Sequence, residues 1–223
     1  MKKIIDDKLV KLHEKLYGFI DEQNKNWNSF VYAKENGFYQ GFDEIEISGC
    51  RSTEKRFEKY KILNYLSKSK TGLDIGCNSG FFTIYVSRFL KNITGIEINP
   101  YLVKIADETK SFLKTGNIDF VNSSFEEFEL KKKYDIIFSL ANDETIDGNT
   151  RFTFNEYISK VYELLNEDGH VIFETVAPDT FEPRLFKPKL QVLKQKFTIL
   201  EDRMVETEYP INVPERRFLI LRK

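Results

Sequence analysis

Apolar positions along the chain change period several times, and each change marks an element. Ile5, Leu9, Leu12, Leu16, Phe19 and Ile20 fall close to helical spacing, which predicts an amphipathic helix from Ile4 to about Glu22. From Asn24 to Gly49 the period dissolves into an aromatic-rich stretch with Trp27, Phe30, Tyr32, Phe38, Tyr39 and Phe42, read as irregular. Ser52 is placed to cap a second helix through Phe57, Tyr60, Ile62, Leu63 and Leu66.

Beyond it, short apolar runs alternate with helical patterns. Predicted strands end at Ile75 and Ile98, and others run Ile118 to Val121, Tyr134 to Leu140 and His170 to Val176. The Tyr134 run is nearly continuous in its apolarity, as a strand buried on both faces requires. Helices are predicted over Phe81 to Leu90, Tyr101 to Leu113 and Phe154 to Leu165, the second opened by Asn99-Pro100. Phe197 to Val205 and Arg217 to Leu221 read as closing strands, with Pro210 and Pro214 between them. The alternation predicts an α/β fold, a doubly wound, Rossmann-like parallel sheet with an N-terminal helical appendage. Residues 1–54 form the appendage and residues 55–223 the sheet domain in this reading.

Composition narrows the class. The 223 residues are 41% hydrophobic and 31% charged, which suits one domain with a full core. No apolar run approaches the ~18 residues of a membrane span. The first residues, M-K-K-I-I-D-D-K, place charges where a signal peptide needs an apolar run, so a cytoplasmic location is expected. Cys50 and Cys77 lack metal-ligand spacing and read as reduced thiols, and no metal is expected. The net charge of −1 counts against a dedicated nucleic-acid partner.

The densest chemical signal is G-L-D-I-G-C-N-S-G-F-F, Gly72 to Phe82. A strand ends in an acid, a turn bracketed by Gly76 and Gly80 follows, and a helix opens. Asn78 tolerates a left-handed backbone. Amides from Phe81 onward face a bound anion in this reading. The run is neither a P-loop nor G-x-G-x-x-G. A glycine-rich turn without a ligand is the bland alternative. Glu97, 23 residues after Asp74, ends the next strand near the ~20-residue spacing at which a carboxylate reaches ribose hydroxyls.

These residues make the chain resemble a class I S-adenosylmethionine (SAM)-dependent methyltransferase. Leu73 to Gly80 are similar to the family's first motif, and Glu97 to its second-strand acid. The resemblance implies a seven-stranded sheet with its last strand tucked inside, and SAM as cofactor. It places Asp74, Gly76 and Gly80 around the methionine part, Glu97 on the ribose and Ile98 beside the adenine, and it counts Cys77, Asn78 and Phe81 among the cofactor-binding residues. Ser124 and Phe125 occupy positions where the family often has an acid for the adenine amino group. Leu140 ends the strand that faces the transferred methyl group.

Ligands in such sheets lie beyond the carboxyl ends of the strands. Asp135 and His170 stand at the opposite ends and read as structural, and His13 lies on the first helix. Asp143, Glu144 and Glu174 stand on the correct side and are the candidate bases for a hydroxyl acceptor. A solvated acidic loop is the plain alternative for them, and a Mg²⁺ site a further one. Ala177 to Lys189, with three prolines, Arg184 and two lysines, reads as a loop placed to grip a substrate.

Upstream, Phe38-Tyr39-Gln40 and I-S-G-C-R-S-T-E-K-R-F from Ile47 resemble the methyltransferase domains of bacterial surface-polysaccharide enzymes and the wobble-uridine tRNA carboxymethyltransferases. That resemblance implies that Tyr39, Gln40 and Arg51 contact SAM, Arg51 through its carboxylate. The expected activity is O-methylation of a sugar, a sugar conjugate or another small polar metabolite, so the partner is a small-molecule or glycan acceptor. RNA modification and a non-catalytic SAM-binding partner are the alternatives.

Overall fold

The structure is a computed structural model of the chain, and it describes residues 7–33, 37–129, 131–144, 149–177, 179 and 182–223. Seven strands form one sheet: β3 (Thr71–Ile75), β4 (Asn92–Glu97), β5 (Ile118–Asn122), β6 (Tyr134–Leu140), β7 (Leu165–Glu174), β8 (Thr198–Glu206) and β9 (Glu215–Arg222). Their order is β5-β4-β3-β6-β7-β9-β8. The first five are mutually parallel, and β9 inserts antiparallel between β7 and β8. The chain winds outward from β3 to β5, then returns to β6 on the other side. The crevice of the sheet therefore opens between β3 and β6.

Side-chain parity divides the core into two layers. Ile136, Phe138, Ile172, Phe218 and Ile220 face one layer, and Ile137, Val171, Phe173, Leu219 and Leu221 face the other. The first layer is covered by α1 (Asp7–Asn26), α2 (Thr53–Tyr60), α3 (Phe81–Ser87) and α4 (Pro100–Phe112). The second is covered by α5 (Phe154–Leu164) and α6 (Pro183–Lys196).

Helix α1 buries Leu12, Leu16 and Ile20, one residue per turn, in the same core as the sheet. Full burial of each aliphatic side chain is worth about 1.5–3 kcal/mol, so this stripe holds the helix down. Asn99 Nδ2 also donates to Gln23 Oε1 at 2.8 Å, tying α1 to the turn after β4. The predicted start at Ile4, and Ile5 with it, lies outside the described residues.

Three expectations change. The aromatic stretch is not wholly irregular: β1 (Phe38–Gly41) and β2 (Gly49–Ser52) pair in parallel, Gln40 opposite Arg51. The predicted second helix is capped by Ser52 but ends at Tyr60, where Lys61 turns left-handed, and a 3-10 turn at Leu63–Tyr65 follows. The predicted gripping loop is helical from Pro183, which fits the first turn because proline lacks only an amide that has no partner there. Pro178, Thr180 and Phe181 lie outside the described residues.

Candidate active site

A cavity of about 390 Å³ lies beyond the carboxyl ends of β3, β4 and β6 and is closed above by α1 and the aromatic segment. Asp74, Gly76 and Asn78 line it, as do Glu97 and Ile98. Ser124, Phe125 and Leu140 line it further along, and Tyr39 and Gln40 reach it from β1. Trp27, Phe30 and Tyr32 of the aromatic segment add an aromatic wall.

The turn after β3 depends on left-handed backbone at Gly76 (φ 62°), Asn78 (φ 55°) and Gly80 (φ 71°). At Gly76 a Cβ would also stand 2.7 Å from Asn142 Oδ1, so the glycine lets the loop after β6 close over the turn. Asn142 Nδ2 donates to the Ile75 carbonyl and fixes that closure. Gly80 serves packing instead, since a Cβ there would collide with Ala106 and Phe120.

Gln40 supplies what the sequence reading assigned to a ligand. Its Oε1 accepts from the amides of Phe81 at 2.9 Å and Phe82 at 3.3 Å, and its Nε2 donates to the Cys77 carbonyl at 3.1 Å. These α3 amides are therefore paired within the protein rather than aimed at a bound anion.

Glu97 holds the turn from the other side. Its carboxylate accepts from Asn78 N at 2.9 Å and from Asn99 N at 2.9 Å, so one acid aligns the turns after β3 and β4. Asp74 is buried and accepts from Thr83 Oγ1 at 2.6 Å. Burial pushes its pKa up to about 7, and the nearby Glu97 adds to the rise. A cation beside it would restore the charged form.

Six of the sequence-predicted residues do not line the cavity: Arg51, Cys77, Gly80, Phe81, Asp143 and Glu174. Cys77 is buried against Gly95, where its Sγ stands 2.9 Å from a Cβ position, and burial pushes its thiol up. Arg51 and Glu174 face each other in a two-point ion pair at 2.8 and 3.0 Å. Tyr60 Oη donates to Glu174 as well, and Arg216 Nη1 stands 3.5 Å away. Burial raises the pKa of Glu174, but Arg51, Arg56 and Arg216 outweigh it and hold the carboxyl well below its usual range. A carboxylate held so far down is a poor base.

Asp143 is buried against Lys189 Nζ at 2.8 Å, and that ammonium also meets Asp179 at 2.8 Å and Glu144 at 3.0 Å. Of the three candidate bases, Glu144 lines the cavity. His13 Nε2 donates to the Ile45 carbonyl at 2.6 Å, a structural bond. Arg56 and Arg216 line the cavity and were not singled out from the sequence.

The donor set fits SAM, a molecule with a ribose diol, an ammonium, a carboxylate and a sulfonium. Glu97 would accept from the diol and Asp74 would face the ammonium, with guanidiniums in reach of a carboxylate. Bound there, SAM supplies an electrophilic methyl group. Among the described residues no group of acidic, histidine or cysteine side chains is arranged to hold a metal ion, and no helix is long and apolar enough to cross a membrane.

Comparison with known proteins agrees with this geometry. Residues 51–202 match the family model described as a methyltransferase domain. The chain is 31% identical over 191 residues to malonyl-[acyl-carrier protein] O-methyltransferase 1 of Ilyobacter polytropus, covering 82% of this chain and 65% of that protein. It is 41% identical over 155 residues to the release factor glutamine methyltransferase of Fusobacterium nucleatum, covering 59% of this chain and 41% of that one. Relatives with the malonyl name from Acetivibrio thermocellus and Calditerrivibrio nitroreducens are spanned over 47% and 40% of their lengths. In fold, the N-methyltransferase NodS from Bradyrhizobium japonicum, solved with S-adenosyl-L-homocysteine, superposes with a TM-score of 0.61 at 18% identity, over 76% of this chain and 86% of that one. The family match spans the turn after β3, the acid that ends β4 and every parallel strand that brings them together, and the chain belongs to the methyltransferase-domain family, with SAM as its cofactor.

Proposed function

We propose that the chain transfers the methyl group of SAM to an oxygen of a small acidic acceptor, a carboxylate in the first reading. The observation that carries this is the fate of the candidate bases. Glu174 is locked to Arg51 and Asp143 to Lys189, away from the cavity, and Glu144, which lines it, is paired with the same Lys189 ammonium at 3.0 Å. A hydroxyl must lose a proton as it is methylated, whereas a carboxylate is already ionised at neutral pH and needs no base. The malonyl-[acyl-carrier protein] O-methyltransferase relatives support the same choice.

The sugar hydroxyl expected from the sequence, with a place in surface-glycan biosynthesis, is the second reading, and Tyr39 favours it. Tyr39 lines the cavity, with Arg51 Nη1 3.5 Å from its hydroxyl. Burial raises its pKa, but Arg51, Arg56 and Arg216 outweigh that and lower it, which eases loss of the phenol proton.

The test presents methyl-labelled SAM with a malonyl thioester, a nucleotide-sugar pool, bulk tRNA and a glutamine-containing peptide. Label entering the thioester as an alkali-labile methyl ester is expected. Alkali-stable label on sugar, lost in Tyr39→Phe, selects the second reading; label confined to RNA or peptide rejects both.

A further inference from the structure

Three guanidiniums converge beside the carboxyl end of β7. Arg51 comes from β2, Arg56 from α2 and Arg216 from β9. One carboxylate, Glu174, forms ion pairs with this cluster, and Arg51 takes both of its oxygens. Arg216 is left with distant contacts: Nη1 stands 3.3 Å from the Thr175 carbonyl and 3.5 Å from Glu174, and Nε has no hydrogen-bond partner. Arg56 donates through Nε to Tyr60 Oη at 3.1 Å and lies over the Tyr60 and Phe82 rings, with no ion pair among the described residues. Both side chains are 6% exposed, and both line the cavity.

An arginine cannot shed its proton when buried, so an unpaired guanidinium draws in a counter-charge. Asp74, another acid of the cavity, feels the charge of Arg56, but burial raises its pKa to about 7 and it is bonded to Thr83. Three fixed positive charges thus face one fixed negative charge. The guanidinium of Arg56, and that of Arg216 beyond its 3.5 Å contact to Glu174, can each still donate to a carboxylate oxygen.

We propose that Arg56 and Arg216 form a carboxylate-binding subsite at the β7 end of the cavity. The carboxylate is that of the acceptor or that of the SAM amino-acid tail. The inference rests on the reading of the cavity as a methyl-transfer site. Contacts from these guanidiniums to one oxygen of a reacting carboxylate would orient it and leave its second oxygen free to take the methyl group, as the bond from the methyl to the SAM sulfur breaks and S-adenosylhomocysteine leaves.

Calorimetry with three probes tests this: S-adenosylhomocysteine, 5′-methylthioadenosine, which lacks the amino-acid tail, and a malonyl thioester titrated onto protein saturated with 5′-methylthioadenosine. In Arg216→Gln and Arg56→Gln, at least tenfold weaker binding of a carboxylate-bearing probe is expected, with 5′-methylthioadenosine unchanged. Loss confined to S-adenosylhomocysteine assigns the subsite to the cofactor, and loss for the malonyl thioester assigns it to the acceptor. Unchanged binding of both carboxylate probes in both variants overturns the proposal, as does a parallel loss for 5′-methylthioadenosine. If Arg216→Gln does not fold, Arg216→Lys, which keeps the charge and loses the fork, is read by the same criteria. Selective loss in a protein whose wild type does not methylate the thioester rejects the proposed reaction and keeps the subsite.

Discussion

Arg51 and Glu174 meet as a bidentate ion pair across 123 residues of chain, joining β2 of the aromatic cap to the carboxyl end of β7. The pair is buried, so removing one partner strands a charge and costs about 3–5 kcal/mol. Glu174→Gln is expected to lower the melting temperature of the unliganded protein by roughly 10 °C. The pH dependence has a definite sign. The carboxyl is held below its ordinary value of 4.5, so its contribution is fully present above that value and is lost as pH falls through the depressed one. The melting gap between wild type and Glu174→Gln should therefore stay constant from pH 8 to 5 and close in stronger acid. A gap that closed between pH 8 and 6 would contradict the pairing.

Asp74 behaves in the opposite sense. Its pKa is raised by burial from 3.8 to about 7, so its contribution to stability is fully present below about pH 4 and is lost as pH rises through 7. The unliganded protein should melt higher at pH 6 than at pH 8, and Asp74→Asn should flatten that slope. Pairing with the cofactor ammonium requires the ionised form. S-adenosylhomocysteine affinity should then fall by up to about tenfold per pH unit below 7, with proton release visible as buffer-dependent calorimetric enthalpy. A pH-independent affinity would place the ammonium elsewhere.

Gln40 offers a cleaner test of what the helix start is for. Its Oε1 caps α3 across the β1 strand, so Gln40→Ala should cost about 1 kcal/mol, a few degrees in melting temperature. Gln40→Glu keeps an acceptor, now charged, at the positive end of the helix and should retain most of that stability. Equal destabilisation by the two variants would locate the effect in the bond to the Cys77 carbonyl.

The sheet and its cofactor turn were legible because their signals are local. Gly76, Asn78 and Gly80 need left-handed backbone within five residues, and Glu97 follows Asp74 at a spacing set by one strand-helix-strand unit. The closing strands were legible for a similar reason, since their apolar residues alternate between the two layers. Strands β1 and β2 were not, because four residues each give no period to read.

The acceptor end was obscured for a physical reason. Arg51 and Glu174 were both marked as site residues, but no spacing relates residues 123 apart, and only their contact turns two candidate groups into one neutral pair. Gln40 was marked as a SAM contact; it lines the cavity and also caps a helix, a bond between residues 41 apart. Arg56 lies within the run from Ile47 to Phe57, of which only Arg51 was assigned a contact, and Arg216 sits among ordinary strand positions with nothing in its neighbours to separate it from a surface arginine.

Lys189 is the last such long-range partner, and its removal makes the strongest prediction. Its ammonium joins Asp143 and Glu144 of the loop after β6 to Asp179 of the segment after β7. Even with the lysine present, burial raises the pKa of Asp143 to about 6, and one oxygen of each aspartate, Oδ1, has no hydrogen-bond partner. Lys189→Met would leave two buried carboxylates facing each other, a loss of about 3–5 kcal/mol at neutral pH. Without the ammonium both groups take up protons more readily, so the variant should recover stability as pH falls below 6, while the wild type shows a smaller gain. Asp143→Asn combined with Lys189→Met should restore part of the loss at pH 7.5. Thermal melts of the three proteins at pH 5.5 and 7.5 check this, and a pH-independent deficit in Lys189→Met would mean that lost packing, not stranded charge, sets its stability.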